Sequence, residues 1–253
     1  MDGIKRIRIL DVPVDMVNYQ QALDRFEEMM QRDGCELIVT PNSEIVVNAG
    51  EDPELKDLIE KASLVIPDGI GIVYASRYLG VPLEERVTGV DFLTKILEWL
   101  AINQKSIFLL GSKPENEERA AVAELAAESM KEKFHNLIVA GTHHGYFKKE
   151  DEAEIVKKIN ESGADFLCVA LGSPKQEKFI MDHRDEFKNI KAAIGVGGSL
   201  DVWAGTVRRA PEFYQKHGIE WLYRLKQEPS RFGRIMKLPV FMIRVVLAGK
   251  KNI

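Results

Sequence analysis

Short apolar runs alternate with amphipathic stretches along the chain. Ile7–Leu10, Leu37–Thr40, Leu64–Ile66, Ile107–Leu110, Leu137–Ala140, Phe166–Ala170 and Ala192–Val196 read as buried strands. Between them, apolar residues recur at helical spacing. Ala22, Phe26 and Met29 mark one face of a helix over Val17–Arg32. Phe92, Leu93, Ile96, Leu97 and Leu100 do the same over Val90–Ile102. Ser43 is placed to cap a short helix through Asn48, and Asp52-Pro53 to open another over Glu54–Lys61. Gly111-Ser112-Lys113-Pro114 reads as the start of a long helix to about Glu132. Glu150–Asn160 and the residues after Glu177 also read as helical. About six strands with short connections to helices predict a mainly parallel, three-layer α/β sandwich of the Rossmann-like kind. The alternation stops after Trp203, so the expected division is an α/β core over 1–203 and a helical, basic appendage over 204–253.

The run Leu64-Val65-Ile66 breaks into Pro67-Asp68-Gly69-Ile70-Gly71, and a helical pattern closed by Gly80 and Pro82 follows. Asp68 therefore stands at the carboxyl end of a strand, the edge where open α/β sheets bind ligands. Two readings are open there: a helix N-cap, or a chemical group. Gly69 and Gly71 remove side chains beside it.

Other strands end in similar loops: Thr40-Pro41-Asn42, Gly111-Ser112, Gly172-Ser173-Pro174-Lys175 and Gly197-Gly198-Ser199. In a parallel sheet all of them share one edge. Free backbone N–H groups at helix starts there suit phosphate, which favours a nucleotide-like ligand. Familiar alternatives are missing. No G-x-x-x-x-G-K-[ST] or G-x-S-x-G occurs, and Gly69-Ile70-Gly71 lacks the third glycine of a dinucleotide fingerprint. His143 and His144 have no Cys or carboxylate spaced to complete a metal site, and no D-x-D is present. A leaving diphosphate would then need cationic side chains.

Charge supplies them. The chain has 253 residues and a net charge of −4, but Trp221–Ile253 carries eight basic residues and one acidic, a balance of +7. The other 220 residues balance at −11. A basic tail on an acidic body suggests an anionic partner, whether phosphate, nucleic acid or a membrane surface. Arg224, Arg231 and Arg234 are spaced to share a helix face unless Pro229 breaks it. The apolar segment Leu238–Ala248, bracketed by Lys237 and Lys250-Lys251, is too short and interrupted to span a bilayer. It reads as interfacial, or as a core or subunit contact. The beginning, Met1–Arg8, lacks a signal-peptide apolar stretch. Cys35 and Cys168 sit beside or within apolar runs and imply no disulfide framework, which fits a reducing, cytoplasmic setting.

Taken in order, Thr40-Pro41-Asn42-Ser43-Glu44, Ile66-Pro67-Asp68-Gly69-Ile70-Gly71, Glu85-Arg86-Val87-Thr88-Gly89-Val90-Asp91, Gly141-Thr142-His143-His144-Gly145-Tyr146-Phe147, Gly172-Ser173-Pro174-Lys175-Gln176-Glu177, Gly197-Gly198-Ser199-Leu200-Asp201 and Arg209-Ala210-Pro211 resemble the bacterial WecG/TagA/CpsF glycosyltransferases, glycosyltransferase family 26. The basic tail is most similar to that of the branch acting in wall teichoic acid synthesis.

The resemblance implies an inverting, metal-independent enzyme without a cofactor. It would move N-acetylmannosamine from its UDP donor to undecaprenyl-diphospho-N-acetylglucosamine, forming a β-1,4 linkage at the inner face of the plasma membrane. By the same resemblance Asp68 is the general base, and Thr40, Asn42 and Gln176 belong to the substrate pocket. Arg224, Arg231 and Arg234 close over the diphosphate. The nucleotide would meet Gly111, Tyr146, Gly172, Pro174, Lys175, Gly197, Gly198, Ser199 and Asp201. No nucleic-acid partner is implied, and a homo-oligomer off the membrane is left open. Three alternatives stand beside this reading: a related transferase using another UDP-sugar such as the mannosaminuronic acid, an NAD-dependent nucleotide-sugar enzyme, and a non-enzymatic membrane scaffold that binds a nucleotide.

Overall fold

The computed structural model describes residues 4–249, so Lys250 and Lys251 of the expected basic rim lie outside the described residues. The first two strands, β1 (Arg6–Ile9) and β2 (Val12–Asp15), form an antiparallel hairpin apart from the main sheet. This corrects the expectation of a first parallel strand reaching Leu10. Leu10 and Asp11 instead make the turn, with φ of 52° and 62°. Two positive φ values in a two-residue connection match the twist of the flanking strands. Asp15 ties the hairpin to the rest: it accepts from the Val65 N–H at 2.8 Å and from Arg6 Nε at 2.6 Å.

Helix α1 (Tyr19–Met30) follows. Asn18 and Gln21 form a reciprocal capping box, and Ala22, Phe26, Met29 and Met30 are buried on one face. Then come β3 (Glu36–Val39), α2 (Ser43–Ala49), α3 (Pro53–Glu60), β4 (Leu64–Val65), α4 (Ile70–Leu79) and α5 (Gly89–Ile102). The remainder of the core is β5 (Ser106–Gly111), α6 (Val122–Lys133), β6 (Ile138–His143), α7 (Glu152–Ser162), β7 (Phe166–Ala170), α8 (Lys175–His183), β8 (Ala192–Gly195) and α9 (Ser199–Trp203). Six strands pair in the order β4-β3-β8-β7-β5-β6, every pairing parallel. Side chains alternate across the sheet. Phe166 and Cys168 of β7 point into one apolar cluster with α1, α5 and α6, whereas Leu167 and Val169 point into a second cluster on the opposite face. That is the expected three-layer α/β sandwich.

Three local expectations change. Asn42, not Ser43, caps α2, its Oδ1 accepting from Ile45 N at 3.1 Å. The helix expected from Pro114 begins only at Val122. Before it, the Asn116 side chain accepts from Glu118 N and Arg119 N, a local turn that competes with helix. Asp68 is not a cap either: Gly69 occupies the N-cap of α4, and no side chain serves it.

Beyond Trp203 the chain is helical: α10 (Glu212–Lys216), α11 (Glu220–Gln227), α12 (Phe232–Ile235) and α13 (Lys237–Ala248). Pro229 opens a 3-10 turn over Pro229–Arg231 that separates α11 from α12. Helix α13 packs on α2 and α4, where Phe241 and Val245 are buried in the core. Gly71 makes that packing close: a Cβ there would lie 2.1 Å from Ser43 Oγ and 2.7 Å from Leu238 Cδ1. Among the described residues no helix is long and apolar enough to cross a membrane.

Candidate active site

The carboxyl ends of β3, β4, β5, β7 and β8 open into one cleft of about 1640 Å³, roofed by the residues after Thr206. That volume exceeds the ~300–1,000 Å³ of a site for one drug-sized ligand. The strand-end loops lie together on this edge as the pattern required.

Asp68 lines the cleft just beyond β4. Burial pushes its carboxyl up from the ordinary carboxylate range. The positive charges of Arg86 and Arg224 and a hydrogen bond from the Gly89 backbone only partly oppose this, and Glu220 adds to it. Arg86 donates through Nε to the Asp68 carbonyl at 2.8 Å, and its Nη2 lies 2.5 Å from Glu220 Oε2 on α11. The site thus holds a carboxyl with raised proton affinity near two arginines, Arg86 of the loop before α5 and Arg224 of α11. Such a group can take a proton from a hydroxyl while the cations steady an anionic partner.

Thr40, Asn42, Gln176, Arg224, Arg231 and Arg234 all line the same cleft. Their exposure to it differs. Thr40 is largely buried, with Oγ1 directed to the Gly195 carbonyl at 3.3 Å, and Asn42 spends Oδ1 on its cap. Gln176 is only 3% exposed and lies under the floor. The three arginines do not share a helix face: Arg224 is on α11, Arg231 ends the 3-10 turn, and Arg234 is on α12. The turn nevertheless brings all three to the cleft. Arg231 pairs with Glu228, and Arg234 donates to Glu44 Oε1 at 2.8 Å.

Tyr146, Gly172, Lys175, Gly197, Gly198, Ser199 and Asp201 line the other part of the cleft. Asp201 accepts from Ser112 Oγ at 2.9 Å, which joins the ends of β5 and β8. Gly111 and Pro174 are not among the lining residues. Gly111 instead packs its backbone on Ala170, 2.5 Å from where a Cβ would stand. His143 turns Nδ1 to the His144 carbonyl at 2.8 Å.

Arg86 and Arg209 lie within two of the resembling motifs, but in loops whose pattern gives neither a role. Arg209 clasps Asp91 with two bonds of 2.6 Å, and Asp91 in turn accepts from Thr88 Oγ1 at 2.7 Å. This anchors the start of the roof to the first turn of α5.

The family model described as "Glycosyl transferase WecG/TagA/CpsF family" matches residues 7–252. The chain belongs to this family. It is a glycosyltransferase of the WecG/TagA/CpsF type, in keeping with the motifs noted above. Among its relatives is a protein of Staphylococcus aureus strain MRSA252 named N-acetylglucosaminyldiphosphoundecaprenol N-acetyl-beta-D-mannosaminyltransferase. It is 36% identical over 248 residues, covering 97% of this chain and 94% of the relative. A protein of the same name from S. aureus strain MW2 is 35% identical over the same span. In this WecG/TagA/CpsF member the family motifs converge on the cleft around Asp68.

Proposed function

We propose that the protein transfers N-acetylmannosamine from UDP-N-acetylmannosamine to N-acetylglucosamine linked through a diphosphate to undecaprenol. The observation that carries the reading is Asp68, a carboxyl of raised proton affinity near Arg86 and Arg224 in a cleft roomy enough for two substrates. The relatives' names supply the sugar and the acceptor.

In this reading the acceptor hydroxyl oxygen attacks the anomeric carbon. Asp68 takes the hydroxyl proton, and the bond to the donor oxygen breaks with its electron pair leaving on UDP. Attack from the face opposite UDP gives the β-1,4 product with inversion. Arg224, Arg231 and Arg234 face the leaving diphosphate, where a guanidinium can bind two oxygens. Ser112 and Asp201, with Tyr146, Lys175 and the loop Gly197–Ser199, hold the nucleoside end. Gly111 and Pro174 act only by shaping the loops behind it.

The acceptor is lipid-linked, so the reaction belongs at a membrane surface. Helix α13 exposes Val240, Ile243, Val246 and Leu247 on the side away from buried Phe241 and Val245. An apolar stripe of this kind suits docking at a bilayer surface, while Lys237 and Arg244 beside it pair with Glu51 of the core. Residues 204–253 would thereby serve both docking and closure of the site.

The test is direct. The protein is incubated with UDP-N-acetylmannosamine and lipid-diphosphate-linked N-acetylglucosamine in chelator, and UDP and disaccharide-lipid are measured. Product from the wild type and none from Asp68→Asn supports the reading. UDP binding without transfer by the wild type overturns it.

A further inference from the structure

Beneath the floor of the cleft lies a carboxyl group that the chemistry of Asp68 leaves unused. Glu177, in the first turn of α8, has no exposed surface. Its Oε1 accepts from Gln176 Nε2 at 2.9 Å, while Oε2 is buried with no hydrogen-bond partner among the described residues. Burial raises the proton affinity of this carboxyl, and the polar groups around it, the Gln176 amide first and then its own backbone N–H and the Ser173 hydroxyl, only partly oppose this. Gln176 then turns its own Oε1 to the Gly197 N–H at 3.0 Å.

The order of these contacts fixes which way the Gln176 amide faces. A half-turn of that amide would set its NH2 against the Gly197 N–H, two donors facing each other, and would lose the bond to Glu177. The amide also lies flat on the end of β8, where a Cβ on Gly195 would come within 2.5 Å of Gln176 Nε2. The glycine loop held in this way runs past the roof: a Cβ on Gly198 would stand 3.6 Å from Arg231 Nη2.

We propose that Glu177 is a positioning residue, which locks the Gln176 amide so that Gly197–Ser199 stays set against Arg231 at the nucleotide end of the cleft. The proposal rests on the cleft being the UDP-sugar site. Its geometric half is independent of that reading.

Glu177→Gln keeps an acceptor oxygen in place of Oε1, and Glu177→Leu removes it. Hydrogen exchange at the Gly197 amide and the KM for the UDP-sugar are measured in both. In Glu177→Leu, exchange at Gly197 speeds up and KM rises, each by up to about tenfold, the net worth of one hydrogen bond. The change in kcat is smaller, and Glu177→Gln restores both readouts to within about threefold. Gly195→Ala, which displaces Gln176 from the other side, reproduces the Leu phenotype. Unchanged exchange in Glu177→Leu or in Gly195→Ala overturns the proposal, as does a Glu177→Gln protein no better than Glu177→Leu. A wild type that transfers no sugar sinks the proposed function, yet the exchange measurement still decides the positioning role.

Discussion

Arg86 and Glu220 lie 2.5 Å apart at their closest atoms, an ion pair that joins the loop before α5 to the first turn of α11. The same guanidinium holds the Asp68 backbone. Closure of the roof and the setting of the base are thus carried by one side chain. Arg86→Met removes a charge that pulls the Asp68 pKa down. A base must be ionised to act, so the acid limb of kcat/KM moves to higher pH. Glu220→Gln removes a charge that pushes the Asp68 pKa up, so its acid limb moves the other way, to lower pH, and it weakens attachment of the roof by about 1.5–3 kcal/mol. A pH–rate profile separates the two, since only Arg86→Met shifts the acid limb upward.

Asp68→Asn tests the base itself. Loss of a general base lowers kcat by about 10²–10⁴, while affinity for UDP stays within about threefold, a difference measurable by calorimetry. Stability moves the other way. The folded-state pKa of Asp68 is raised, so ionisation costs stability as pH climbs through that value. The neutral variant therefore melts no lower than wild type at alkaline pH. A strongly lowered melting temperature there would assign Asp68 a structural role.

Phe241 is fully buried between α13 and the core. Phe241→Ala costs about 3 kcal/mol, and the loss falls on the docking of α13. Proteolysis should then cut near the roof while the α/β core resists, and vesicle binding and transfer should decline together. Uniform destabilisation of the whole chain would contradict this.

His183 stands between two carboxylates, with Nδ1 at 2.8 Å from Glu186 Oε1 and Nε2 at 3.0 Å from Glu152 Oε2. Burial lowers its pKa, but the two carboxylates outweigh it and the net shift is upward. The stabilisation is complete below the unfolded value of about 6.5 and is lost as pH rises through the folded one. His183→Gln should therefore melt below wild type at about pH 5.5 and approach it at about pH 9. A gap that does not change with pH would mean that packing, not charge, is lost.

The parts of the fold legible in the sequence were those whose cause is local. Phe166–Ala170 is a continuous apolar run because both faces of β7 are buried, and its observed bounds match the reading. Val12-Pro13-Val14-Asp15 was hidden because its proline and aspartate break the apolar pattern. Asp15 is buried only because Arg6 and the Val65 N–H meet it across the fold. The polar stretch after Pro114 reads as helix by composition, but the Asn116 side chain captures the backbone first. At the site, glycine and proline at strand ends announced the edge of the sheet. The ordering of Arg86 and Arg209 was not visible, since their partners Glu220 and Asp91 lie 134 and 118 residues away in the chain.

Among the described residues of the roof, only Ala210, Phe241 and Val245 are buried apolar side chains; much of the rest of its attachment is ionic. A segment held in this way opens at a lower free energy than the sheet beneath it. Any ligand that bridges roof and floor then stabilises the closed form by RT ln(1 + [L]/Kd). By reciprocity, whatever presses the roof down tightens the grip on the ligand by the same factor. A bilayer under α13 would enter this balance as a second ligand, and salt, by loosening the ionic seams, as its antagonist.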